Sequence, residues 1–161
     1  MRAVRVRRAV DGDEATLRSL RLNALGDTPD AFGSTLELEL ARTTSDWHRW
    51  ITPNPTFLLE TSGGEAAGLV AGAPDEIDAD AVQLQAMWVH PSSRATGGAD
   101  LLVESVIAWA RDEHAAIILL WVTQGNASAN RLYERNGFAF TGQQWIRERD
   151  ACIELEMLHR L

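Results

Sequence analysis

The chain contains no lysine; its 15 basic residues are all arginine, against 23 acidic residues, for a formal net charge of −8. A P-loop ATP site relies on a lysine to reach the phosphates, so the sequence speaks against a mononucleotide domain of that kind. An acidic surface without a basic run argues against general binding to nucleic acid or anionic membrane. A local anion site remains open, because backbone amides and one or two arginines are enough to make one. The single cysteine, Cys152, rules out an intrachain disulfide. That fits a reducing cytoplasm, and in an apolar-alternating tail Cys152 reads as packing. One cysteine and four scattered histidines do not assemble a zinc cluster. Residues 1–8 are basic but lack the apolar core of a signal peptide. No apolar run approaches membrane-spanning length. The expectation is a cytoplasmic protein with no metal, no nucleic acid and no membrane among its partners.

What remains is ordinary for a globular protein: 45% hydrophobic and 24% charged residues over a length of 161. That length suits one domain, 1–161, with a proper core. Val4 and Val6 alternate with arginines, which predicts a strand over 2–9. Asp11-Gly12-Asp13 is a turn and a plausible helix cap, and Leu17, Leu20, Leu22 and Leu25 mark an amphipathic helix ending near Gly26. Residues 31–51 carry mixed signals: Leu36, Leu38 and Leu40 alternate, yet their neighbours favour helix, and helix is the expectation. Ser45-Asp46 is expected to cap a short helix through Trp47 and Trp50. Residues 56–62 and 65–72 read as a β-hairpin. The acidic loop 73–80 reads as solvated.

Residues 82–89 form the next strand, with Val82, Leu84, Ala86 and Trp88 expected on one face and Gln83, Gln85, Met87 and Val89 on the other. The strand breaks into a small-residue loop, Arg94-Ala95-Thr96-Gly97-Gly98-Ala99, before a helix with Leu101, Leu102, Val106 and Trp109 on one side. A glycine loop that opens a helix presents free N–H groups and the positive end of the helix dipole, a setting suited to phosphate; short glycine turns of no such function are equally common. Residues 116–122 are almost continuously apolar, as in a central strand buried on both faces. A short helix from Asn126 to Arg135 ends at Asn136-Gly137, and strands follow at 138–146 and 151–160. The strand–helix–strand unit over 82–122 implies a parallel, right-handed crossover, and the hairpins imply antiparallel neighbours. The expected class is therefore α/β, with a mixed sheet and helices on both faces.

Two segments resemble the GNAT superfamily of acyl-CoA-dependent N-acetyltransferases. Arg94-Ala95-Thr96-Gly97-Gly98-Ala99 fits its pyrophosphate pattern Gln/Arg-x-x-Gly-x-Gly/Ala, although many members have glycine where this chain has Ala95. Asn126, Ala129, Leu132, Tyr133, Gly137 and Phe138 fit its downstream Asn-x-x-Ala-x-x-Leu-Tyr-x-x-x-Gly-Phe segment. One helix and one strand separate them, as in the family. The resemblance implies a single-domain GNAT-like fold whose sheet splays between 82–89 and 116–122, with acetyl-CoA as co-substrate in the slot. Pantetheine would pair with the strand around Met87, Trp88 and Val89, and an N–H near Trp88 or Val89 would face the acetyl oxygen. The amides of Arg94, Ala95, Thr96, Gly97, Gly98 and Ala99 would wrap the pyrophosphate, with Arg94 adding charge and Arg131 a candidate for the ribose phosphate.

Asn126 is a helix cap by its position, and the resemblance adds a bond to the pantetheine arm, with Asn130 beside it or in solvent and Ala129 lining the arm. Tyr133, the only tyrosine, is either a packing residue or, by resemblance, the general acid for the departing thiolate. No general base is readable: Gln83 and Gln85 hold the slots where members place glutamate or histidine, Glu60 is a candidate through water, and His90 reads as solvent-facing. The acceptor, a small-molecule or peptide amine, would meet residues 29–34, Trp47, Trp50 and Trp145, with Asp30 and Glu37 favouring a cation. A homodimer stays open. The rivals are a silent GNAT-like acyl-CoA sensor and a pure interaction module.

Overall fold

Six short strand segments and one nearly continuous apolar segment assemble into one seven-stranded sheet in the computed structural model, which describes residues 3–161. Arg2, at the start of the first expected strand, lies outside the described residues. The elements run β1 Val4–Arg8, α1 Glu14–Asp27, a 3-10 turn Pro29–Ala31, α2 Leu36–Leu40, α3 Thr44–His48, β2 Thr56–Thr61, β3 Ala66–Pro74 and β4 Ala81–Val89. A second 3-10 turn, Pro91–Ser93, leads into α4 Gly98–Asp112, β5 Ile117–Thr123, α5 Ala127–Arg135, β6 Ala139–Ile146 and β7 Ile153–Arg160. The strand order is β1-β2-β3-β4-β5-β7-β6, antiparallel throughout except for the parallel pair β4–β5. No helix among the described residues is long and apolar enough to cross a membrane.

The sheet is covered on both faces. On one, α4 sets Leu102, Val103, Val106 and Ile107 against Leu59, Val82, Leu84, Val89 and Ile118. On the other, Leu17, Leu20, Ala24 and Leu25 of α1 and Trp47 of α3 close over Leu58, Leu69 and Trp88. The face of α4 differs slightly from the expected one: Leu101 is exposed, and Val103, Ile107 and Ala110 take the interior. Strand β5 is not buried on both faces. Ile118, Leu120 and Val122 are interior, whereas Trp121 is 39% exposed, because α1 and α3 cover only the β2–β4 part of the far side.

Three local expectations shift. Asp13 stands at the N-cap of α1 but does not cap it; its carboxylate accepts from Val10 N–H (2.7 Å) and from Arg7 (2.7 and 2.9 Å). The cap of α3 lies two residues earlier than expected, in a reciprocal Thr43–Asp46 capping box. Helix α2 forms as expected but inside out: Leu36, Leu38 and Leu40 face water, and Glu39 is fully buried against the equally inward Arg21 (3.0 Å).

The largest departure is in β4. Between Leu69↔Trp88 and Ala71↔Gln85, two steps along β3 match three along β4, so β4 carries a β-bulge, and Ala86 sits there at φ +59. One extra residue reverses the alternation. Val82 and Leu84 therefore share their core with Val89, and Trp88 points to the opposite side, contrary to the expected grouping of Val82, Leu84, Ala86 and Trp88. Beyond the bulge β4 bends away. Only Ala81↔Ile117, Val82↔Ile118 and Gln83↔Leu119 pair with β5, and past Gln83 the two strands part.

Candidate active site

The gap between β4 and β5 opens into a cleft of about 510 Å³. Its floor is the stretch of β4 from Leu84 to Val89 that does not pair with β5, its far wall is Trp121, Val122 and Thr123 of β5, and the first turns of α4 and α5 border one mouth. Thr28, Ala31 and Phe32 border the other, on the α1 side of the sheet. The cleft therefore passes through the sheet at the place where its hydrogen bonding fails.

The glycine-loop mouth is made by backbone. Gly97 is held at φ +83, a conformation side chains resist, and a Cβ built there meets no atom within 4 Å. The space beside it is open, so the loop is shaped for something to approach. Among the described residues no acceptor meets the N–H groups of Ala95, Thr96 or Gly97. The first-turn N–H groups of α4 add to them. Gly98 is small for another reason: a Cβ there would lie 2.5 Å from Leu59 Cδ2, so it lets α4 settle onto β2. Thr96 also turns inward; its hydroxyl donates to Ser93 O (2.7 Å) and accepts from Gly98 N–H (3.3 Å).

Of the expected residues, Met87, Trp88, Val89, Arg94, Ala95, Gly97, Ala99, Asn126, Ala129 and Tyr133 line the cleft. Thr96, Gly98 and Asn130 do not; the Asn130 carboxamide oxygen is buried without a partner among the described residues. Arg94 is at the rim with its guanidinium already engaged. Its Nε donates to Val89 O (3.0 Å) and a terminal nitrogen pairs with Asp27 (2.7 Å). Asp27 also accepts from Trp88 Nε1–H (3.0 Å), and this bond together with Arg94 holds its carboxyl below the usual carboxylate range. Arg131 and Arg135 line the same mouth. Arg135 forms a two-pronged pair with Asp100 (2.8 and 2.8 Å), which ties α5 to the start of α4.

Asn126 caps α5, its Oδ1 accepting from Ala129 N–H (3.2 Å). Tyr133 packs edge-on against Phe138, with ring centroids 5.9 Å apart. Burial pushes its phenol above its ordinary pKa, so it is protonated at neutral pH. Three expected participants fall elsewhere. Glu60 is held on β2 by Arg7 and Arg5, outside the cleft lining. Trp47 is a core residue, and Trp145 stands on the outer strand β6. His90 is exposed and bonds Ser92 Oγ (2.7 Å), as its position before Pro91 suggested. Sequence reasoning missed Trp121, Thr123, Ser128 and Arg135 as lining residues. Only an alternation count along 117–123 would have set Trp121 apart from its buried neighbours.

The mouth on the α1 side is pinned from afar. Arg147, almost wholly buried, donates to Phe32 O (2.7 Å) and Asp30 O (2.8 Å), and Arg149 donates to Phe32 O (2.7 Å). Thr123 Oγ1 donates to Asp30 O (3.1 Å). The Arg21 guanidinium lies 4.7 Å over the Phe32 ring. Away from the cleft, His48, Glu14 and Asp11 converge more closely than their spacing suggested, with His48 Nδ1 3.0 Å from Glu14 and 3.6 Å from Asp11.

The sequence matches the model of the acetyltransferase (GNAT) family over residues 23–138. It is 31% identical to N-acetyltransferase family 8 member 2 of Rattus norvegicus over 127 residues, 77% of this chain and 55% of that protein. The chain spans about half the length of the curated relatives it matches. Among solved structures it resembles yncA from Salmonella typhimurium, determined with its cofactor acetyl-CoA (TM-score 0.83, 19% identity, 99% of this chain and 94% of that one). It also resembles a GCN5-related N-acetyltransferase from Kribbella flavida (TM-score 0.80, 20% identity, 99% and 98% covered).

Proposed function

We propose that this chain, which belongs to the acetyltransferase (GNAT) family, moves an acetyl group from acetyl-CoA to a primary amine by direct attack in a ternary complex. The observation that carries this reading is the opened β4–β5 junction beside a loop of uncommitted amides. The open space at Gly97 and those amides fit a pyrophosphate. Acetyl-CoA supplies the activated thioester carbonyl; the rest falls to the chain.

The loop amides and the first turn of α4 hold the pyrophosphate. Arg131 serves the ribose phosphate, and Arg94, locked to Asp27, fixes the loop more than it neutralises the ligand. The backbone of Met87 to Val89, released from β5, aligns the pantetheine arm, and one of its N–H groups faces the carbonyl oxygen as charge develops there. Asn126 turns its free amide nitrogen to the arm. The amine nitrogen forms the new C–N bond and gives its proton to water held by Gln85 and nearby carbonyls. As the C–S bond breaks, Tyr133 Oη donates its proton to sulfur. On this reading the partners are acetyl-CoA and a small-molecule or peptide amine, within one domain, in the cytoplasm and without metal.

A silent acyl-CoA sensor is the second reading, favoured by one observation: among the described residues the only carboxylate lining the cleft is Asp100, which is tied to Arg135. Steady-state thiol release with a panel of amines separates the two, run beside a melting experiment with acetyl-CoA. Amine-dependent release is expected. Ligand stabilisation without release on any amine establishes the sensor, and absence of both removes the cleft from acyl-CoA chemistry.

A further inference from the structure

Beyond the cleft, no α-helix among the described residues covers the acceptor-side face of β5, β7 and β6, since α1 and α3 pack on β2 to β4; the 29–32 loop reaches it only at the Thr123–Glu154 end. Directly paired residues of antiparallel strands point to the same face. Trp121 pairs with Glu156, Thr123 with Glu154, and Glu154 with Trp145. This face therefore carries an indole, two carboxylates and a second indole in succession, leading outward from the cleft wall at Trp121. Trp121 is 39% and Trp145 54% exposed, although both are large enough to be worth burying. The two carboxylates differ. Glu154 lies 3.6 Å from the guanidinium of Arg147. Glu156 has no cationic partner among the described residues and is oriented by a bond from Thr141 Oγ1 (2.9 Å).

We infer that this strip recognises a second cationic group on the acceptor, so that the substrate class is a small diamine or polyamine. The inference rests on the acetyl-transfer reading and deepens it. The reacting nitrogen enters the cleft past Trp121. The distal ammonium rests against Glu156, one strand spacing (about 5 Å) further out, between the two indoles. A carboxylate supplies charge and the indole faces supply cation–π attraction, a combination that favours an organic cation over a neutral chain of equal length. Arg147 is matched by Asp150 and Glu154, so it does not cancel Glu156.

The test is calorimetric titration of hexamethylenediamine and of hexylamine, which lacks the second cation, into the protein saturated with CoA at low ionic strength. The diamine is expected to bind about 10-fold more tightly. Glu156→Gln should bring it to the level of hexylamine without changing CoA affinity, and Trp145→Leu should weaken it by about 3-fold. Equal affinities, binding of neither amine, or a diamine affinity unchanged in Glu156→Gln would overturn the inference. So would a Glu156-dependent gain for a tetralysine peptide but not for the diamine, which would assign the strip to a basic peptide. Failure of CoA itself to bind strikes the acetyl-transfer reading alone; the same amine comparison on the ligand-free protein then judges the strip.

Discussion

The two mouths of the cleft are built by opposite means. The loop side comes from two short stretches, 86–99 and 126–133, and mostly from their backbone: a bulge at Ala86, a left-handed Gly97 and two helix starts. The acceptor side comes from one loop, Thr28 to Phe32, whose carbonyls are held by Thr123, Arg147 and Arg149 from the far end of the chain. On the proposed reading the loop side binds a pyrophosphate, a task that is the same whatever the acceptor and that local backbone geometry can meet. The mouth that would select the acceptor is placed by tertiary contacts, and those are free to differ from chain to chain.

The sharpest way to break this contrast is Arg147→Ala. It removes the four hydrogen bonds of an almost wholly buried guanidinium and the cation beside Glu154, although Asp30 O and Phe32 O keep Thr123 and Arg149 as donors, and should cost about 3 kcal/mol in a urea melt. The acceptor KM should rise while acetyl-CoA affinity holds; equal damage to both would show that the mouths are not independent. On the loop side, wild-type protein at acetyl-CoA about 100-fold above Kd should gain about 2.7 kcal/mol, and Gly97→Val should lose that gain through a β-branched side chain at positive φ in the ligand's path. Its neighbour is the control: Gly98→Ala meets Leu59 instead, so it should cost about 2 kcal/mol of stability and keep its response to ligand. An unaltered ligand response in Gly97→Val would take the pyrophosphate away from this loop.

Between the mouths stands Tyr133. Tyr133→Phe retains the packing on Phe138 and should lower kcat by about 10-fold or more, with little change in donor KM. Full turnover under conditions where acetyl transfer limits the rate would leave the phenol as packing only.

The smallest effect concerns a contact between α1 and the loop side, Asp27 with Trp88 and Arg94. The folded carboxyl titrates below its unfolded value of about 3.9, so its contribution is fully present above that pH and is lost as pH falls through the lowered folded value. Acid melts followed by tryptophan fluorescence should show a shallower loss in Asp27→Asn. An identical acid limb would mean the link is without weight.

The sequence disclosed the loop side far better than the acceptor side. The strand–loop–helix transition at 82–101 and the Asn126–Phe138 segment announce themselves through glycine, apolar periodicity and spacing, and so did the crossover that makes β4 and β5 parallel. The bulge did not. Val82 to Gln85 alternates, Ala86 to Val89 is apolar throughout, and Ala86 carries no mark of the positive φ that the fold imposes on it. Helix α2 misleads for a related reason: Glu39 is inward only because Arg21, 18 residues earlier, is inward too. The clamp from Arg147 spans 115 residues to Phe32, beyond any local pattern. Trp121 was hidden in an apolar run whose two faces differ only in whether a helix happens to lie over them.

The brief junction between β4 and β5 also has a mechanical meaning. Three residue pairs join them, against five to seven at every other strand boundary. The sheet is thus two plates, β1 to β4 and β5 with β7 and β6, meeting along a short seam. Helix α4 touches strands of both plates and acts as the strap across it. Tension applied across the strands would part the molecule at this seam first, and the load would then pass to the apolar contacts of Leu102, Val106 and Ile107 with Ile118.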